Sequence, residues 1–180
     1  VADRPEYYGA SSSPLLREDH QDAMRLLEAR VPRWVSVTTL DGLRPHSSFP
    51  PLEAAFKYSL VEFNVAIKAA AFRHAFDAMR ATKCVYLDND VWVLRGLGEI
   101  EALLDSYSVV ITPHESEPSP LDGKTQTDTK IRQAGVYNFG FLALGDSAST
   151  RTFLRWWEQR LRWFAFDRRQ EGLSFDQGWG

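Results

Sequence analysis

Apolar and polar positions along this 180-residue chain switch between helical and strand periods, and the switches mark out its elements. Val1 to Ser13 is polar and turn-rich and reads as a loop. Ser13 as N-cap and Pro14 at the first helical position predict a helix to about Arg30, with Leu15, Leu16, Ala23, Leu26 and Leu27 on its apolar face. Pro32 ends it. Trp34 to Leu40 is β-branched and partly alternating, which predicts a strand, and Asp41-Gly42 turns it into a loop from Arg44 to Pro51. Glu53 to Arg80 reads as helix, in one piece or two, with Phe56, Leu60, Phe63, Ile67, Ala71 and Phe72 forming the stripe. Asn64 and Lys68, four apart, fall on one face of that helix.

The stretch Cys84 to Val93 reads as a buried strand that runs into Asp88 and Asp90 and then continues apolar. Gly96 and Gly98 break it, and Glu99 to Asp105 makes a short helix. Tyr107 to Thr112 is another buried strand, stopped by Pro113-His114. Glu115 to Asp128 is polar, with Pro118, Pro120 and Gly123, and is expected to be mobile. Val136 to Leu144 is a strand with Asn138 inside it. Ser147 or Ser149 caps a helix to about Phe164, with Phe153, Leu154, Trp157 and Leu161 inward. Asp167 to Leu173 is charged and loop-like. Strands alternating with helices predict an α/β fold, a mainly parallel sheet flanked by helices, whose ligand crevice lies beyond the strand carboxyl ends.

Composition narrows the function classes. With 44% hydrophobic and 25% charged residues, the chain has the make-up of a globular domain with a substantial core. The net charge of −3 argues against a nucleic-acid backbone as the main partner, since domains that bind one usually carry a basic face. A lone cysteine, Cys84, makes neither an intrachain disulfide nor a thiolate metal site, and fits a cytoplasmic location. No apolar run has the length of a transmembrane helix, and no signal peptide is visible. The chain starts at Val1 and stops at Gly180 just after an aromatic–acidic cluster. One partial domain, residues 1–180, truncated at both ends, is the expectation.

Asp88-Asn89-Asp90 carries the candidate chemistry. Two carboxylates at the end of an apolar strand call for compensation, and a hard cation such as Mg²⁺ or Mn²⁺ supplies it, with phosphate and water completing its shell. The bland alternative is a solvated turn. An EF-hand beginning at Asp88 is excluded: Trp92 and Val93 would stand where an oxygen ligand and a glycine are required. Asn138 either bonds nearby backbone or binds a sugar hydroxyl, to which an amide both donates and accepts. Asp176 is either a helix N-cap or a carboxylate near a reacting sugar carbon. His114 reads as a satisfied structural residue. Trp156-Trp157 reads as core with partial surface. Arg151, Arg155, Arg160 and Arg162 read as a solvated face.

Taken in order, Val61-Glu62-Phe63-Asn64 with Lys68, Tyr86-Leu87-Asp88-Asn89-Asp90, Thr112-Pro113-His114, Gly135 to Phe141, and Phe175-Asp176-Gln177-Gly178-Trp179 resemble a bacterial nucleotide-sugar glycosyltransferase of the GT-A fold. The layout is similar to the glycogenin and lipopolysaccharide galactosyltransferase group, over roughly Phe56 to Trp179. The resemblance implies that Asp88 and Asp90 are the DxD metal motif, holding Mn²⁺ or Mg²⁺ and, through it, the diphosphate of a nucleotide-sugar donor such as a UDP-sugar. It places Asn64 and Lys68 beside the donor, Asn138 on the donor sugar, and Asp176 with Gln177 near the sugar's reactive carbon, Asp176 as the catalytic candidate. It implies a hexosyltransferase, retaining by layout, acting on a glycan, lipid or protein acceptor that the sequence does not identify. Two departures stand out: the first strand and helix, which hold the nucleobase in such enzymes, have no counterpart here, nor does the later histidine that usually completes the metal site.

The rivals are a haloacid-dehalogenase-type phosphohydrolase and a non-catalytic sugar-binding fragment. In the first, Asp88 would be a nucleophile and Asp90 an acid/base. That pattern usually has Thr or Val where Trp92 stands, and Gly145-Asp146 lacks the second acid of its downstream motif.

Overall fold

The computed structural model describes residues 22, 25–26, 29–123 and 127–179. The chain divides into two compact units, Val1–Thr39 and Leu40–Gly180. The helix expected from Pro14 to Arg30 falls mainly outside the described residues, as does the loop before it. The strand expected over Trp34 to Leu40 does not form: residues 35–39 lack regular structure, and Trp34 is 85% exposed. β propensity builds a strand only where another strand pairs with it, and among the described residues no strand pairs with this stretch.

The second unit begins with two short helical turns, α1 (Leu40–Leu43) and a 3₁₀ turn (Arg44–His46). The helical stretch read from Glu53 to Arg80, in one piece or two, is three helices: α2 (Pro51–Lys57), α3 (Leu60–Ala66) and α4 (Lys68–Asp77). Local chemistry explains the breaks. Ser59 opens α3 with a capping box, its hydroxyl accepting from Glu62 N while the Glu62 carboxylate accepts from Ser59 N. Ile67, at φ −94° and ψ −4°, ends α3 and starts α4. The kink puts Lys68 at the first position of a new helix and turns it inward.

The sheet has three strands in the order β1 (Lys83–Leu87), β3 (Tyr137–Gly145), β2 (Val109–Pro113). β3 lies in the middle, antiparallel to both neighbours. The chain is mixed α/β, as expected, but the mainly parallel sheet is corrected. β1 and β2 run the same way, joined through α5 (Gly98–Leu103), yet they are not neighbours, because β3 enters between them from the opposite direction. A second, two-stranded antiparallel pair, β4 (Asp167–Arg168) and β5 (Leu173–Ser174), forms near the C-terminus, where sequence predicted only loop.

α6 (Asp128–Ala134) precedes β3, and α7 (Ala148–Phe164) follows it. α7 was legible: Ser147 is its N-cap, accepting from Thr150 N, and Leu154, Trp157 and Leu161 are fully buried. Trp157 meets Phe139 edge-on at 5.4 Å and stacks on Phe153 at 5.3 Å, so the largest core side chain joins helix to sheet. Phe72 and Phe76 of α4 belong to the same core. Among the described residues no helix is long and apolar enough to cross a membrane.

Candidate functional site

β1 and β2 both end at the edge where β3 begins. Asp88 leaves β1 there, His114 leaves β2, and Asn138 stands at the start of β3. The strand carrying the acidic motif is shorter than expected. β1 stops at Leu87, and Asp88 to Val91 forms a tight turn, with Val91 N donating to Asp88 O at 3.1 Å. The apolar continuation is not buried strand: Trp92 is 84% and Leu94 85% exposed. Asp88 itself stays tied to the sheet, its N–H donating to Gly140 O at 2.9 Å.

Lys68 is the hub. It is 3% exposed, and its Nζ donates to Asp176 Oδ2 at 2.8 Å and to Phe139 O at 3.0 Å, with Asp88 Oδ1 at 3.5 Å. An ammonium has three donors, and three oxygens face them. The Phe139 carbonyl is available because pairing between β2 and β3 slips: Ile111 faces Leu142, but Thr112 faces Asn138. Asp176 is 2% exposed. Burial pushes its carboxyl above the ordinary range, and Lys68 pulls it part of the way back. Phe175, just before it, sits at φ +48°, a conformation that costs a bulky residue about 1–2 kcal/mol. That turn aims Asp176 under Lys68.

On the other side of Lys68 stands Tyr86, a residue that sequence reading did not assign. Its hydroxyl donates to Asp88 Oδ1 at 2.6 Å, and its ring lies 4.6 Å from Lys68 Nζ. Burial raises the phenol's pKa, and the charges of Asp88, Asp176 and Asp90 raise it further, so it remains a proton donor. Gly140 was also missed. A Cβ there would come within 2.9 Å of both Asn138 Oδ1 and Asp88 Oδ2. Those two oxygens thus converge over the bare glycine backbone, and Gly140 N holds Asn138 Oδ1 at 2.8 Å. A signal for both existed: Tyr86 and Asp88, like Asn138 and Gly140, are two apart on strands and so share a face.

The remaining candidates divide. Asn64 and Lys68 do not share a helix face, because the break at Ile67 separates them; Asn64 is exposed and joins none of this network. Asp90 is exposed on the turn. Gln177 opens a 3₁₀ turn (Gln177–Trp179) and packs against Gly135, where its Cβ fills the space a side chain would need. His114 is structural, its Nδ1 2.8 Å from Gly135 O. Burial raises the Cys84 thiol's pKa, which keeps it protonated. A cavity of about 320 Å³ lies beyond the exit of β2, between Glu115–Pro118 and α6, and none of the predicted site residues lines it.

Among the described residues no group of three or more His, Cys, Asp or Glu side chains is placed to hold a metal. The oxygens that converge are Asp88 Oδ2 and Asn138 Oδ1, above Gly140, and the exposed Asp90 follows two residues after Asp88. This is no closed protein cage. It fits Mg²⁺ or Mn²⁺ of the kind whose shell is completed by phosphate and water. No protein-family model, curated protein or solved structure matches the chain.

Proposed function

We propose that the chain forms the donor site of a metal-dependent, GT-A-like nucleotide-sugar glycosyltransferase, with Asp88 and Asp90 holding Mn²⁺ or Mg²⁺ and a UDP-sugar as the donor class. One observation carries this reading. Lys68, Asp88, Asn138 and Asp176, drawn from four separate parts of the sequence, meet at one sheet edge around a buried ammonium and a glycine-floored pair of oxygens. Three carboxylates, Asp88, Asp90 and Asp176, accompany the single Lys68, so the site favours a further cation.

A bound divalent ion would act as a Lewis acid on the diphosphate leaving group, offsetting the charge that grows as the sugar–oxygen bond breaks. The chain's own residues do the rest. Asp88 and Asp90 hold the ion, Asn138 offers an amide to a sugar hydroxyl, and Lys68 stands 3.5 Å from Asp88 Oδ1. Asp176 fixes Lys68 in place, and its burial puts it behind the ammonium.

The test is a thermal-shift series with UDP-sugars, with and without Mn²⁺. A donor that binds the native state raises the melting temperature by mass action. The shift is expected only with Mn²⁺ present, and Asp88→Ala should abolish it. An equal shift in chelator would reject the metal-bridged site.

A further inference from the structure

We propose that Tyr86 is a positioning residue of this site: its phenol pins one oxygen of Asp88 so that the other, Oδ2, is the one presented beside Asn138 to a divalent cation. The inference rests on the donor-site reading above and deepens it.

The geometry divides the labour between the two Asp88 oxygens. Oδ1 receives the Tyr86 hydroxyl at 2.6 Å and has Lys68 Nζ at 3.5 Å. Oδ2 points the other way, to the space over Gly140 that it shares with Asn138 Oδ1. A carboxylate turns easily about its last torsion, which is broad and two-fold. Left alone, Asp88 would swing towards the nearest cation, and that cation is Lys68. The distances show that it approaches only part of the way: Lys68 makes a full hydrogen bond with Asp176, at 2.8 Å, and a longer ion pair with Asp88 Oδ1, at 3.5 Å. The short phenol bond satisfies Oδ1 from the sheet side and holds the carboxylate off the ammonium. Period two along β1 makes this possible, because Tyr86 and Asp88 rise from the same face. The ring, 4.6 Å from Lys68 Nζ, also walls in the ammonium on that side.

A phenol that merely satisfies its own hydrogen-bonding need would affect stability and nothing else, which makes the proposal separable. The experiment is Mn²⁺ titration of the full chain, read from the electron paramagnetic resonance signal of free Mn²⁺, alone and with UDP. Tyr86→Phe keeps the ring and removes the hydroxyl. Partners that orient metal ligands are worth about 10–100-fold in affinity, so Y86F is expected to weaken Mn²⁺ binding at least about tenfold. Ser147→Ala, which removes a helix cap away from the site, serves as the stability control and should leave the affinity unchanged. Asp88→Ala should abolish binding. If Y86F binds Mn²⁺ as the parent does while D88A does not, the positioning role is wrong and the donor-site reading stands. If the parent itself does not bind Mn²⁺, with or without UDP, both fall.

Discussion

Lys68 is a buried charge whose partners can be removed one at a time. In Lys68→Met, Asp176 loses its cation while remaining 2% exposed, and the Phe139 carbonyl loses its donor. Breaking a buried pair from one side costs about 3–5 kcal/mol, so K68M should lower the urea unfolding free energy by that amount at neutral pH. The loss should shrink in acid, because a protonated Asp176 no longer needs its partner. The parent chain has its own pH signature. Asp176 has a native pKa raised above 3.8, so the folded state holds this proton more tightly than the unfolded one. Its contribution to stability is fullest below that value and declines as pH climbs through the raised native pKa. Asp176→Asn removes the titration, and the unfolding free energies of D176N and the parent chain should diverge in the variant's favour as pH rises from about 4. A difference that does not change with pH would reject a raised Asp176.

Gly140→Ala separates the site from the fold. The new methyl would crowd only the ends of two short side chains, Asn138 and Asp88. Stability should change by less than about 1 kcal/mol, while the Mn²⁺-dependent thermal shift should be lost. Loss of both together would mean that Gly140 serves packing rather than the oxygen pair. At this scale the sequence was partly legible. Asp88, Asn138, Lys68 and Asp176 stand out in the sequence and lie together; Tyr86 and Gly140 do not stand out, because a tyrosine and a glycine in a strand carry no charge. Asn64 was misplaced because the kink at Ile67 has neither proline nor glycine to announce it.

At the scale of elements, α7 is held by polar as well as apolar contacts. Glu158 is fully buried, accepting from Ser48 N at 3.0 Å and from Arg73 Nη1 at 2.8 Å. One carboxylate thus joins α7 to α4 and to the loop before α2. Glu158→Ala should cost about 2–3 kcal/mol by chemical denaturation, because the Ser48 amide is left unpaired and Arg73, itself partly solvated, loses its counter-charge. A cost under about 0.5 kcal/mol would show that water replaces the carboxylate. Lys57 does similar work at the other end of α7, its Nζ donating to Arg162 O at 2.7 Å and lying 4.6 Å from the Trp163 ring. The heptad-like spacing of Leu154, Trp157 and Leu161 made α7 readable. The stretch Trp34 to Leu40 misleads for the converse reason: its β-branched residues describe a preference, and among the described residues no strand pairs with it to realise that preference.

For the three-stranded sheet, the strands themselves are legible in the sequence but their arrangement is not. Alternation of strand and helix suggests a parallel sheet, and nothing in the composition of β3 reveals that it runs backwards between the other two. Leu142 shows what that placement means, since it faces both Tyr86 of β1 and Ile111 of β2 and is wholly buried. Leu142→Ala should cost about 2–5 kcal/mol. Because the three-stranded sheet does not exist without β3, a large share should appear as slower folding rather than faster unfolding in stopped-flow chevrons. Loss confined to the unfolding limb would place β3 among the last parts to form.

The central position of β3 also has a consequence for the chain while it is being made. Lys83 pairs with Gly145, and neither β1 nor β2 has any other partner in the sheet. Two apolar strands must therefore emerge from the ribosome and wait, edges open, until the residues up to 145 have followed them. During that interval they are exposed to pairing with other chains, the hazard that open strand edges carry. A chaperone that shields extended apolar segments would find its natural substrate here in the nascent protein, and slowing translation before residue 145 should lower the yield of soluble chain.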